Sequence, residues 1–150
     1  MKGRVVEQLA RALDKAARVA GRENPSQAPE HLQTGKRGED DAYFHLRRLG
    51  YVMVARNWRS PRHRGELDLV GWDGEVLCFI EVKTRTTRDI KPAEAAVDET
   101  KRSDLGAVAR DYLRRVGGSP AARFDVVSVY YDTGVTSPDV TLFKNAFQMP

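Results

Sequence analysis

Two apolar runs separated by Asp73-Gly74 constrain this chain more than any other feature. The run Glu66 to Trp72 (ELDLVGW) precedes the dipeptide and Glu75 to Arg85 (EVLCFIEVKTR) follows it. An Asp-Gly pair between two such runs signals a hairpin with a two-residue turn. With Asp73 and Gly74 as the turn residues, Trp72 faces Glu75, Asp68 lies opposite Phe79, and Glu66 lies opposite Glu81. Side chains alternate faces along a strand. Glu66, Asp68, Phe79, Glu81 and Lys83 therefore share one face, and Leu67, Leu69, Cys78, Ile80 and Val82 take the other.

Charges inside an otherwise apolar strand are unfavourable unless they are paired or employed. The expected register makes Asp68 and Glu81 diagonal neighbours, about 7–8 Å apart at the backbone. From there two carboxylates can lean onto one hard cation, which takes oxygen ligands at roughly 2.0–2.1 Å. A slip of one residue would put the two acids on different faces. Glu66 opposite Glu81 is a like-charge pair, unfavourable without a cation between them.

The remaining elements follow from periodicity and turn residues. Val5, Leu9, Leu13, Ala16 and Ala20 predict an N-terminal amphipathic helix over residues 3–20. Residues 21–34, rich in Pro, Ser and Gln, read as a linker. One domain is expected from residue 35 to residue 150. Within it a helix runs from Gly38 to Leu49 and stops at Gly50, and Tyr51 to Trp58 is a strand. After the hairpin and a loop through Pro92, a helix spans about Asp98 to Val116. Phe124 to Asp132 and Asp139 to Phe147 are two further strands. The expected fold is α/β, with a mixed sheet of about five strands and the order α-β-β-β-α-β-β after the N-terminal helix.

The helix from Gly38 carries an apolar stripe of Ala42, Tyr43, Leu46 and Leu49. One turn back from Ala42 and Tyr43 lies Glu39, on the buried side. A simpler reading makes Glu39 a first-turn acid complementing the helix dipole. Lys101 stands one turn before Leu105, Val108 and Tyr112, where it either faces the strand acids or ends a solvated helix. Glu81 and Lys83, in turn, have a simpler reading as a surface pair on an edge strand.

Charge is unevenly spread. Between Lys36 and Arg64 there are eight cations, Lys36, Arg37, Arg47, Arg48, Arg56, Arg59, Arg62 and Arg64, against three acids, Glu39, Asp40 and Asp41. With a net charge of +4, this points to a polyanionic partner or to an ordinary solvated surface. The single cysteine, Cys78, fits a reducing cytoplasm. No stretch approaches the ~20 apolar residues of a membrane span. The first twenty residues carry Glu7 and Asp14 and lack an apolar core, so no export signal is expected. The histidines lack metal-ligand spacing, and a lone cysteine offers no zinc site.

The ordered set GELDLV (65–70) and CFIEVKTR (78–85) resembles the PD-(D/E)xK signature of restriction-endonuclease-like nucleases, with Asp68 as the first acid and Glu81-Val82-Lys83 as (D/E)xK. Leu67 stands where that signature has Pro. GKRGEDDAYFHLRRLGYVMVARNWRS (35–60) before it and VDETKRSDLGAVARDYL (97–113) after it are similar to the YraN family of bacterial proteins, grouped by fold with archaeal Holliday-junction resolvases. The resemblance runs from about Gly35 to Asp132.

It implies a restriction-endonuclease-like fold and phosphodiester hydrolysis with Mg²⁺ or Mn²⁺. Asp68 and Glu81 would be ligands, helped by the Ile80 or Val82 carbonyl, with Glu39 acting through water or on a second ion. Lys83 would orient water or neutralise phosphate charge. Glu66 is a possible auxiliary acid. Arg47, Arg48, Arg56, Arg59, Arg62, Arg64 and Lys101 are the expected phosphate contacts, which fix position without reading sequence. DNA is the expected partner, with branched-substrate selectivity from shape and from a homodimer, as in the resolvases. The rivals are a non-catalytic nucleic-acid-binding or adaptor protein, and a protein-interaction role for the N-terminal helix.

Overall fold

A computed structural model describes residues 30–86 and 97–149, the side chains of His31 and Leu32 excepted. The expected helix over 3–20, most of the linker and the loop through Pro92 lie outside the described residues. The chain divides into two units, Met1–Arg37 and Gly38–Pro150; the second carries the sheet.

The element order is α1 (Glu30–Arg48), β1 (Val52–Arg59), β2 (Glu66–Asp73), β3 (Val76–Arg85), α2 (Glu99–Val116), β4 (Ala122–Tyr130) and β5 (Asp139–Phe147). The strands form one mixed sheet in the order β1-β2-β3-β4-β5. Among the described residues only β3 and β4 pair in parallel; the other neighbours are antiparallel. A parallel pair needs a crossover, and α2 supplies it. Asp98 caps α2, its side chain accepting from Lys101 N, and Gly117 follows the last turn with φ +74°.

The sheet buries both faces. On one side α2 packs Leu105, Val108 and Ala109 against Val70, Leu77, Phe79, Phe124 and Val126. On the other, α1 packs Ala42 and Leu46 against Leu69, Cys78, Ile80, Val127 and Val129. Among the described residues no helix is long and apolar enough to cross a membrane.

Helix α1 differs from expectation at both ends. It begins at Glu30, so residues 30–34 of the expected linker are helical; no proline interrupts them, and Thr34 Oγ1 donates to the Glu30 carbonyl. At the other end Leu49, expected on the buried stripe, is 55% exposed, while Phe44 is 2% exposed. Gly50 takes φ +97°. Gly50 N donates to Arg47 O and Tyr51 N to Leu46 O, a Schellman stop that turns the capping Leu49 outward and lays Tyr51 on Leu46.

The hairpin register is shifted by two residues. Asp73 pairs with Val76, Trp72 with Leu77 and Leu69 with Ile80, so the turn residues are Gly74 and Glu75. Gly74 has φ +60°, and a tight turn with glycine first is the type II′ arrangement. The glycine, which alone tolerates that φ freely, sets the register rather than the Asp-Gly pair as a unit. Continuing the ladder, Asp68 comes level with Glu81 instead of diagonal to it, and Glu66 comes level with Lys83 instead of Glu81. The shift is even, so alternation is preserved through Leu69. Leu67 is the exception: expected beside Leu69, it packs under α2 on the opposite face. The β2–β3 ladder ends at Leu69–Ile80, and beyond it β2 turns away from β3.

Candidate metal centre and basic surface

Where that ladder ends, a side chain takes the place of the backbone. Asp68 Oδ2 accepts a hydrogen bond from Val82 N at 2.8 Å, bridging the strands as they part. The opening lies at the sheet end where residues from both faces meet. Glu39 arrives from α1, Glu66 from the start of β2, and Lys101 from the first turn of α2.

Carboxylate oxygens of Glu39, Glu66 and Asp68 all lie within 4.8 Å of one another. Glu39 reaches the cluster more than two turns into α1, so it is not a first-turn acid. Its placement depends on the residue before it. A Cβ on Gly38 would fall 1.9 Å from Thr84 Oγ1, so the bare glycine lets α1 lie directly on the end of β3.

Glu81 is 4% exposed and stands beside this trio, but lies outside it. Lys101 Nζ donates to Glu81 Oε1, and Lys83 Nζ lies 3.2 Å from the same oxygen. Glu81 is thus ion-paired with two ammonium groups and does not sit on an edge strand: β3 is the central strand of the sheet. Lys101, expected as a phosphate contact, faces this carboxylate. Burial works against its charge, Glu81 outweighs that, and its pKa is raised.

Burial, then the negative charge of Glu81, pushes the Asp68 carboxyl up to about 8; the Val82 N–H opposes the shift and Glu39 adds to it. Crowded carboxylates without a cation hold protons that isolated ones would release. The donor set is all hard oxygen, which suits Mg²⁺ or Mn²⁺ and offers nothing to a soft metal.

Asn57, absent from the sequence-based candidates, completes the arrangement. It stands in β1 between Arg56, paired with Leu69, and Trp58, paired with Leu67, which puts it level with Asp68. Its backbone is left-handed, φ +48°. Its Nδ2 donates to Glu39 Oε2 at 3.0 Å and lies 3.5 Å from Glu66 Oε1. An asparagine inside a strand pattern was the available signal, since Asn is disfavoured in strands yet is among the few residues tolerant of φ > 0.

The expected basic contacts divide. Arg56 is half-buried in an ion pair with Asp40 and lies 4.9 Å from the Tyr43 ring centroid; Arg47 sits over the same ring at 5.8 Å. Arg59 Nε donates to Glu66 Oε2 at 2.7 Å, which ties the basic loop to the carboxylate cluster. Arg48, Arg62 and Arg64 are exposed.

A separate polar network lies at the other end of the hairpin. Asp125, fully buried, accepts from Arg123 Nε and Asn145 N at 2.8 Å each and from Tyr51 OH at 3.3 Å. Arg123 also donates to Asp73 Oδ2 at 2.6 Å. Its charges are internally paired, and burial and Asp125 push the neighbouring Cys78 thiol up to about 12, which leaves it inert.

Fold and site define the class: an α/β domain with a mixed five-stranded sheet, whose parting strands carry a carboxylate cluster beside a basic loop. The chain belongs to the Uncharacterised protein family UPF0102, which matches residues 38–129. It is 60% identical over 119 residues to a UPF0102 protein of Koribacter versatilis, covering 79% of this chain and 82% of that one. A UPF0102 protein of Solibacter usitatus is 45% identical over 131 residues, 87% of this chain and 96% of the relative. One from Chlorobaculum tepidum is 41% identical over 103 residues, 68% and 77% of the two chains.

Proposed function

We propose that this protein is a restriction-endonuclease-like nuclease of the YraN type, which binds DNA and hydrolyses phosphodiester bonds with Mg²⁺ or Mn²⁺. The observation that carries the reading is the gathering of Glu39, Glu66 and Asp68 within 4.8 Å, next to the Glu81–Lys83 pair. A bound divalent ion would supply neutralisation of phosphate charge and acidification of water. Glu39, Glu66 and Asp68 would hold it, and Asn57 would keep Glu39 and Glu66 turned inward. Lys83 and Lys101, already beside the acids, can move from Glu81 to a phosphate oxygen and offset charge there. Arg62 and Arg64 would anchor the flanking backbone. The partner and the ion set no requirement for a second subunit, although a homodimer would add shape selectivity for branched DNA.

One observation favours the alternative, a non-catalytic nucleic-acid-binding or adaptor protein. Glu81, second acid of the signature, is engaged by two lysines and stands apart from the carboxylate trio. Labelled duplex, single-stranded and four-way-junction DNA, incubated with Mn²⁺ or Mg²⁺, separates the readings. The nuclease reading expects cleavage that is lost with chelator and in Glu81→Ala and Lys83→Ala. Binding of every substrate without cleavage supports the adaptor. Neither binding nor cleavage removes both.

A further inference from the structure

Ser60, which begins the loop after β1, is 9% exposed, and Asp111 in the second half of α2 is 4% exposed. The Ser60 hydroxyl donates to Asp111 Oδ2 at 2.5 Å, and its oxygen accepts from Arg62 N at 3.0 Å. Gly65 ends the loop with φ +97°, close to Asp104 and Val108 of α2. The basic loop is therefore latched along α2.

The helix brings cations of its own to the latch. Arg114 NH1 donates to Asp111 Oδ1 at 3.3 Å. The Arg115 guanidinium lies 5.5 Å from the Trp58 ring centroid, and Trp58 meets Tyr112 edge-on. The Ser60 hydroxyl holds the Asp111 carboxyl below its usual range; burial is the next effect and opposes it, and the charges of Arg62, Arg114 and Arg115 each add a smaller lowering. One guanidinium thus pairs with Asp111 directly, two more act on it through their charge, and Arg64, also exposed, follows Arg62 by two residues in the same loop. This surface continues from the carboxylate cluster: Arg59, bonded to Glu66, is the residue before Ser60.

We propose that Arg62, Arg64, Arg114 and Arg115 form a single surface for a nucleic-acid phosphodiester backbone, carrying the strand from the carboxylate site onto α2. Four cations outnumber the two acids beside them, Asp111 and Asp104, and guanidinium forks match phosphate oxygens in pairs. Asp111 and Trp58 restrain two of the forks, so less freedom is lost when phosphate binds. The inference rests on the nucleic-acid half of the proposed function and is independent of cleavage.

The test uses the full chain, a labelled DNA duplex and chelator, with binding followed by fluorescence anisotropy across a KCl series. Arg114→Gln/Arg115→Gln should lower the slope of log affinity against log salt by about two, since each phosphate contact contributes roughly 0.9. Arg114→Gln alone should lower it by about one. Mn²⁺ affinity, measured by calorimetry, should match wild type in both variants. A wild-type slope in both variants overturns the proposal, as does displacement of the duplex by an acidic peptide at equal charge concentration. A wild type that binds no DNA overturns both this surface and the nucleic-acid reading. DNA binding with the expected slope change but no Mn²⁺ binding supports the surface and removes the nuclease reading alone.

Discussion

Asp68→Asn tests whether the carboxylate cluster stores like charge. In the metal-free protein the Asp68 carboxyl stands at about 8 against an ordinary 3.8, through burial first and the Glu81 charge second. A carboxyl whose pKa rises on folding binds its proton more tightly in the folded chain. Its stabilising contribution is complete below the ordinary pKa and is lost as pH climbs through about 8. Each pH unit inside the window removes up to about 1.4 kcal/mol. Wild type should therefore lose about 2 kcal/mol relative to Asp68→Asn between about pH 6 and about pH 8. The amide oxygen of Asn can still accept from Val82 N, so the interstrand bond is kept. Urea unfolding of both proteins with chelator, at several pH values, measures the gap. Under the proposed function, Mg²⁺ at a hundredfold excess over its Kd should return about 2.7 kcal/mol to wild type and little to the variant. A gap that stays flat across the window, with chelator present, refutes the stored-charge argument.

Gly38→Ala should destabilise the protein by about 1–3 kcal/mol through overpacking against Thr84. In a Thr84→Gly background, which removes every atom the new Cβ would strike, the same change should be neutral or stabilising, because alanine is the better helix residue by about 0.5–1 kcal/mol; a thermal-melt double-mutant cycle reads the coupling. Asn57→Gly keeps the left-handed backbone accessible but removes the amide that donates to Glu39. It should leave the melting temperature near wild type and weaken Mn²⁺ binding, measured by calorimetry, roughly tenfold; unchanged affinity would show that the amide positions nothing.

Much of the architecture was legible because it is written in local periodicity. The strand runs and the helix spanning about Asp98 to Val116 each depend on residues within a few positions. Glu39 could be assigned to the inner side of its helix by stepping back one turn from Ala42 and Tyr43. The hairpin register was not legible to the same degree, since the Asp73-Gly74 pair does not say which turn position the glycine takes. The even shift leaves alternation intact only through Leu69, and beyond it the acids divide: Glu66 and Asp68 gather with Glu39 of α1, while Glu81 stands outside that trio, held by Lys101 of α2. Leu67 could not be read this way, since its face is decided by where the β2–β3 ladder stops.

Sequence by itself determined the order of elements, the face on which the strand acids begin, and the company of Glu39 with the buried side of its helix. Tertiary structure decided which carboxylates share a site. Asp68 bonds Val82 N across the parting strands, and Gly38 admits α1 against Thr84. Lys101 claims Glu81, Asn57 turns through a left-handed backbone to Glu39, and Ser60 latches the basic loop to Asp111. Each of these contacts joins residues distant in the chain, whose separation is fixed by packing and strand splay and by no spacing that a linear pattern carries.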